Sequence, residues 1–264
     1  MNNKHFIEKY GPWAIITGAS SGLGAELARQ LSCIGLNLVL VARREDRLKR
    51  LAQTLEKENG IQTRILAIDL TMADAYLAIL DQTKDLDTGL LINNAGYSNT
   101  GELLESTPEN VMLMYRLNCE FPLLLAMEYG KRMVQKGRGG IIFVASSVAY
   151  LSVPYWTHYS ATKSYILRIG EGLYYELKNR GVDVLTLCPG GMKTEFQSVA
   201  GIRDIGAMDV KPVAIRAIKS LGKRPSIVPG WYNRVAYQML PKLLPTKVCL
   251  ALFGILMKKL AFTK

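Results

Sequence analysis

Histidine is nearly missing from this sequence. His5 and His158 are the only two in 264 residues, which argues against a histidine-based catalytic triad or a histidine-built metal site. Cysteine is sparse as well. Cys33, Cys119, Cys188 and Cys249 lie far apart and match no metal-ligand or disulfide spacing. They read as reduced thiols of an intracellular, cytoplasmic protein. The opening segment MNNKHFIEKYGPWAIITG has no apolar run ahead of the first strand-like stretch, so no secretory leader is expected. The apolar run Val248 to Met257 has ten residues, against about 20 for a membrane-spanning helix. Acidic residues stop at Asp209. From Arg203 to Lys264 there are twelve basic residues and two acidic ones, so this end carries nearly all of the net charge of +11. That skew predicts an anionic partner or surface for the C-terminal end alone, or else a solvated basic face.

What the chain does have is regular alternation. WAIIT (13–17), LNLVLVA (36–42), RILAI (64–68), GLLIN (89–93), GIIFVAS (140–146) and VDVLTLC (182–188) are short, nearly continuous apolar runs. Such runs suit parallel strands covered on both faces. The stretches 22–33, 44–59 and 108–136 are long enough for crossover helices. The pattern predicts an α/β fold: a Rossmann-like, doubly wound parallel sheet with helices on both faces. Residues 1–210 are expected to form the dinucleotide-binding and catalytic domain. Residues 211–264 are expected to be a helical, basic extension of it, with a short strand at Ser226–Val228. The glycine-containing segment 191–209 reads as a loop or lid.

The first turn is specific. Residues 17–24 read Thr-Gly-Ala-Ser-Ser-Gly-Leu-Gly, directly after the first strand and at the start of a helix. Gly18 suits a tight turn, Gly22 a close approach of backbone to a pyrophosphate, and Gly24 tight helix–strand packing. With Leu23 they would present a helix N-terminus to phosphate. The second strand ends at Ala42, where an NAD site would place an acid for the ribose hydroxyl. Arg43 follows and can pair with a 2′-phosphate, with Ser20 and Ser21 as hydrogen-bond donors. The predicted cofactor is NADP(H).

Further on, Tyr159-Ser160-Ala161-Thr162-Lys163 places a phenol and an ammonium four residues apart, on one helix face. An ammonium nearby favours the phenolate, and a tuned tyrosine can exchange a proton with an alcohol. Spacing alone is weak, because Tyr174 and Lys178 repeat it. The context is stronger: TGASSGLG at 17–24, Asp69, Asn93-Asn94-Ala95-Gly96, Asn118, Ser146, YSATK at 159–163, then Pro189-Gly190 and Thr194.

Over roughly residues 10–195 this order resembles the short-chain dehydrogenase/reductase family. The resemblance implies a set of roles. Asp69 and Leu70 would hold the adenine, and Asn93, Ala95 and Gly96 would line the adenosine side. Ser146 would bond the substrate oxygen, with Tyr159 as the acid/base. Lys163 would hold the nicotinamide ribose and lower the tyrosine pKa, and Asn118 would position a relay water. Pro189 and Gly190 lead to Thr194, which would hold the carboxamide. Ser146 and Ser147 are adjacent and either could serve; the family's 13-residue spacing to Tyr159 selects Ser146. His158 reads as a pocket or surface residue.

The expected reaction interconverts a ketone or aldehyde with an alcohol. Apolar residues flank the tyrosine (Tyr150, Leu151, Val153, Tyr155, Trp156) and fill the following loop (Met192, Phe196, Val199, Ile202, Ile205, Met208). They predict a hydrophobic substrate. The alternative is a non-catalytic NADP-binding redox sensor or scaffold. No nucleic-acid motif is present and no metal is expected. By resemblance, helices near 108–136 and 157–180 would build a homodimer or homotetramer. The charge and apolar run of the tail from about 231 to 264 would let it touch an anionic membrane surface peripherally, cover the substrate mouth, or pack on the domain or at a subunit interface.

Overall fold

The computed structural model describes residues 3–202 and 207–261. Seven parallel strands form one sheet: β1 (Trp13–Thr17), β2 (Asn37–Ala42), β3 (Thr63–Ala67), β4 (Thr88–Asn93), β5 (Gly139–Val144), β6 (Val182–Leu187) and β7 (Ser226–Ile227). Their order is β3-β2-β1-β4-β5-β6-β7. The order reverses between β1 and β4, which creates a crevice at the carboxyl ends of those strands. The observed strands lie within two residues of those read from the sequence. The extension supplies β7, paired to β6 through Thr186–Ser226 and Leu187–Ile227.

Strand alternation sorts the core into two layers. Ala14, Ile16, Leu38, Leu40, Ile142 and Leu185 face one side. There α2 (Gly22–Ile34), α3 (Glu45–Asn59) and α9 (Val210–Ser220) cover them. Ile15, Val39, Leu91, Ile141, Phe143 and Val184 face the other side. They are covered by α4 (Ala75–Gln82), α6 (Phe121–Lys136) and α7 (Thr157–Lys178). A fully buried aliphatic side chain contributes about 1.5–3 kcal/mol, so both faces hold the sheet in place. An N-terminal helix, α1 (Asn3–Tyr10), was not expected; Phe6 and Tyr10 anchor it to the first layer.

The predicted helix 108–136 is interrupted. It consists of α5 (Pro108–Tyr115), a π-helical turn at Arg116–Glu120, and α6. Pro122 has no N–H to offer the carbonyl four residues back, at Asn118. The Phe121 N–H reaches instead to the Arg116 carbonyl. The wide turn therefore falls on Asn118, a common place for functional side chains.

After β6 the described residues of the lid segment include a short helix, α8 (Glu195–Val199). The extension then continues through α10 (Trp231–Asn233), a π turn (Arg234–Met239), α11 (Leu240–Leu243) and α12 (Thr246–Ala261). Among the described residues no helix is long and apolar enough to cross a membrane. Cys249, Phe253 and Met257 recur every fourth residue of α12 and pack inward, while Val248, Leu252 and Ile255 are exposed.

Helix α7 carries two glycines with opposite roles. A Cβ on Gly170 would collide with the Thr186 hydroxyl of β6, whereas one on Gly172 would meet only the Glu176 carboxylate at 3.9 Å. Gly170→Ala is expected to lower unfolding stability by about 1–3 kcal/mol through overpacking. Gly172→Ala should raise it by roughly 1 kcal/mol, because alanine is the better helix former. Urea unfolding of both variants checks the pair; equal effects would contradict the packing described.

Candidate active site

At the crevice, the Thr17 side chain ties β1 to β4. Its hydroxyl oxygen accepts the backbone N–H groups of Asn94 and Ala95, each at 3.0 Å. The Asn94 amide in turn donates to the Thr17 carbonyl at 2.8 Å and to that of Gly18 at 3.3 Å. Thr17 and Asn94 fix the glycine turn, and neither was singled out in the sequence for that task. Gly18 has φ +67°, and any Cβ there would press on Asn94 and Ala95. Gly24 is packed against the Gly18 carbonyl and Asn94. Ser21 leads into α2 without a side-chain cap, so the first N–H groups of that helix stay open to an anion.

The arginine that completes this turn is Arg44. Its Nη2 donates to Ser21 Oγ at 2.9 Å and to Ser20 Oγ at 3.1 Å. Arg43 is exposed, and its charge acts on Asp69. The reason lies in alternation. Val41 faces the α4–α6 layer and Ala42 the α2–α3 layer. Continuing the zigzag sends residue 43 away from the glycine turn and residue 44 back to it. From the sequence the 2′-phosphate is expected at Arg43, whereas it is Arg44 that the strand turns onto Ser20 and Ser21. Burial pushes the Asp69 carboxyl up, but the Thr71 N–H and hydroxyl and the nearby Arg43 outweigh it, and the group lies below the usual carboxylate range. Leu70 beside it is buried.

On the other side of the crevice α7 delivers Tyr159 and Lys163 together. Tyr159 is 5% exposed and Lys163 4%. The ammonium Nζ donates to the Val144 carbonyl at 2.9 Å and lies 5.7 Å from the Tyr159 ring centre. Burial pulls the lysine down to about 8, against weak opposition from the Cys119 and Cys188 sulfurs. Burial likewise pushes the Tyr159 phenol upward, countered in part by a hydrogen bond with the Ser146 side chain. The phenol is thus raised, not depressed as expected from Lys163, and the group that opposes burial is Ser146. It is the Ser146 hydroxyl that meets the phenol. Ser147 is fully within the core, and its N–H binds the Pro189 carbonyl at 2.8 Å.

Neighbouring groups hold this pair in register. Asn118 clamps Tyr97, accepting its N–H and donating to its carbonyl, both at 2.9 Å, and donates to Thr162 Oγ1 at 3.1 Å. A Cβ on Gly96 would lie 3.3 Å from both Asn118 Oδ1 and Lys163 Nζ, so a bare backbone leaves space for the ammonium. Asn93 donates to the Pro122 carbonyl at 3.1 Å and braces β4 against α6. Gly190 abuts the buried Asn233 of α10, which donates to the Pro229 carbonyl. The extension thus braces the loop after β6, a contact no motif announced. Thr194 stands over the glycine turn, its methyl 2.9 Å from where a Gly22 Cβ would be.

An apolar wall closes round Tyr159. Trp156 stacks on it with ring centres 4.6 Å apart, and Phe196 tilts toward it at 5.9 Å. Leu151, Val153, Tyr155 and Ile202 join them, together with Met257 and Tyr237 from the extension. Four of the apolar residues expected around the tyrosine and in the lid lie elsewhere. Tyr150 packs in the α6–α7 layer, Met192 and Met208 pair with each other and pack on the α2–α9 layer, and Val199 is exposed. Ile205 lies outside the described residues. His158 bonds the Val111 carbonyl at 2.9 Å. Among the described residues no cluster of acids, histidines and cysteines could hold a metal.

A strand–glycine turn–helix at the sheet crevice and a buried Ser–Tyr–Lys set facing it define a dinucleotide-dependent enzyme site. Residues 12–202 match the family model described as short chain dehydrogenase, and the chain belongs to that family. It is 31% identical over 236 residues to a 7beta-hydroxysteroid dehydrogenase of Clostridium sardiniense, covering 87% of this chain and 90% of the relative. A short-chain dehydrogenase from Sphingobium yanoikuyae, solved in complex with NADPH, superposes with a TM-score of 0.81 at 32% identity, over 88% of this chain and 93% of that one. A bulky-bulky ketone specific alcohol dehydrogenase from Comamonas testosteroni gives 0.76 at 29% identity, over 89% and 92%.

One consequence is measurable directly. A free lysine titrates near 10.4, whereas Lys163 is held down to about 8 by burial. Its amine should be charged below that pH and neutral above it. Carbon-13 NMR of labelled lysines, with Lys163→Met as the assignment control, should find one amine titrating near 8. A spectrum in which every lysine titrates near its free value would contradict the burial described.

Proposed function

We propose that this chain is an NADP(H)-dependent oxidoreductase that interconverts an apolar ketone or aldehyde with the corresponding alcohol. The observation that carries the reading is the buried Tyr159 phenol, bonded to Ser146, beside Lys163 and walled by Trp156 and Phe196. The residues present fit the cofactor. Gly18, Gly22 and Gly24 keep the turn clear of side chains, Ser20, Ser21 and Arg44 gather near the end of β2, and that strand closes on Ala42 where an acid for the ribose hydroxyl would stand. When bound, NADPH supplies the hydride that goes to the carbonyl carbon.

The protein's part is to hold the carbonyl and supply the proton. Ser146 and Tyr159 together present two hydroxyls to one oxygen. Burial keeps Tyr159 in its neutral form, so it is a ready donor in the reducing direction. Lys163, charged below about 8, would steady the ribose hydroxyls and the electrostatics as the tyrosine gives up its proton. Asn118 holds the Tyr97 backbone and so the floor of the pocket. Asp69 with Leu70 would flank the adenine, Asn93, Ala95 and Gly96 the adenosine side, and Pro189, Gly190 and Thr194 the nicotinamide. Arg43 remains at the same edge as Arg44 and would share the 2′-phosphate. The aromatic wall supports a bulky, apolar substrate, in keeping with the steroid and bulky-ketone names of the relatives. Replacing Tyr159 by Phe should cut turnover by about 10²–10⁴ while cofactor binding survives. Unchanged turnover would remove Tyr159 from the reaction.

Two assembly readings accompany this. Met112, Tyr115, Met127 and Tyr175 are exposed on α5, α6 and α7, which supports pairing of these helices in a homodimer or homotetramer. The exposed stripe of α12, with Trp231 and the cations Lys247 and Lys259, supports peripheral contact with an anionic membrane. Light scattering should give at least twice the chain mass. Sedimentation with anionic vesicles at low salt should carry the protein down, and Leu252→Glu with Ile255→Glu should abolish this. A monomer at micromolar concentration contradicts the first reading; vesicles ignored by the unmodified protein contradict the second.

A further inference from the structure

One acidic side chain sits among the groups gathered for the 2′-phosphate. Glu195 is the first residue of α8, in the segment that follows β6. Its Oε2 accepts from Arg44 Nη1 at 2.7 Å, and its Oε1 from Arg47 Nη1 at 2.6 Å. The same Arg44 binds Ser20 and Ser21 through Nη2. One guanidinium thus joins the glycine turn to the lid. Next to it, Thr194 lies over Gly22. The two arginines hold the Glu195 carboxyl well below the usual range, down to about 2, so it is an anion at any working pH.

A phosphate on the adenosine ribose would seek these donors, because guanidinium and hydroxyl groups bind phosphate as they bind carboxylate. It would also meet a fixed negative charge a few ångströms away. Two anions cannot share Arg44 without repulsion. A cofactor with no 2′-phosphate makes no such demand.

Resting on the NADP(H) reading above, we propose that Glu195 is a built-in competitor of the cofactor's 2′-phosphate. Its carboxylate holds Arg44 and Arg47 and fastens the start of α8 across the phosphate site, and the arriving phosphate displaces it. Cofactor entry at the adenosine end then loosens the segment that carries Phe196 and Ile202, two walls of the substrate pocket. Glu195 is a positioning residue; it reaches neither the nicotinamide nor the substrate. Its effect on discrimination is to weaken NADP(H) below what Arg44 alone would give, in exchange for a lid that responds to that cofactor.

The test uses 2′,5′-ADP and 5′-AMP, which differ by the phosphate in question, with the full chain and its Glu195→Gln variant. The unmodified protein should bind 2′,5′-ADP more tightly than 5′-AMP. Glu195→Gln should tighten 2′,5′-ADP about five-fold, the scale of an exposed ion pair, and leave 5′-AMP unchanged. Hydrogen exchange supplies a readout independent of affinity. Amides of 195–202 should exchange faster on adding 2′,5′-ADP to the unmodified protein, and should already be fast in Glu195→Gln without nucleotide. Weaker or unchanged binding of 2′,5′-ADP by the variant overturns the competitor role while the NADP(H) reading stands. Equal binding of the two nucleotides by the unmodified protein overturns both. Exchange that is slow in both proteins overturns the latch.

Discussion

An ammonium without a carboxylate beside it is buried at the centre of this molecule, and much of the structure can be understood as accommodating it. Removing a charge from water is costly unless other groups satisfy it. Lys163 receives the Val144 carbonyl at the end of β5. Gly96 contributes a missing side chain, since a Cβ there would crowd both the ammonium and Asn118. Asn118 is placed by the π turn that Pro122 imposes on the α5–α6 helix. These contacts come from the β4–β5 crossover and the end of β5, so that unit must be in place before α7 can house the lysine. Incomplete compensation leaves the lysine titrating near 8, close to neutrality, where its charge can respond to what binds next to it.

The two halves of the site are built on different physical terms. The tyrosine half is dry: Tyr159 is stacked under Trp156, and burial is the largest influence on its pKa. The adenosine half is wet and charged, with Arg44, Arg47 and Glu195 all partly exposed. A proton donor benefits from a fixed environment, whereas a phosphate site must admit a solvated anion. The C-terminal extension serves the dry half. Met257 and Tyr237 close the apolar wall, and Asn233 supports Gly190. Apolar substrates therefore meet a pocket whose far side is the part of the chain with the most unusual charge.

The sheet was legible because its strands are buried on both faces, and burial on both faces leaves unbroken apolar runs such as LNLVLVA. The glycine turn was legible from its place directly after β1, and the Tyr159–Lys163 pair only through the ordered motifs around it, since the same spacing recurs at Tyr174 and Lys178. What escaped depended on partners distant in sequence. Choosing Arg44 over Arg43 requires knowing which way β2 points its last side chains. Ser146 and Ser147 look alike as residues, and only the spacing implied by the family resemblance selects Ser146, whose hydroxyl meets the phenol. Glu195 reads as an ordinary first-turn acid, and its two arginines lie some 150 positions earlier. Asn233 carries no pattern at all; its role is fixed by Gly190 on another element. Helix α1 was missed because only Phe6 and Tyr10 are buried, too few for a visible period.

The central claim is that the Ser146–Tyr159–Lys163 set and the arginine edge together reduce bulky apolar carbonyls at the expense of NADPH. The most direct measurement follows NADPH and NADH absorbance with a panel of ring ketones, long-chain ketones, small ketones and sugars. The account predicts oxidation of NADPH with the bulky apolar carbonyls, and much slower reaction with NADH or with polar sugars. No NADPH oxidation with any carbonyl, or a preference for small polar sugars, would contradict it.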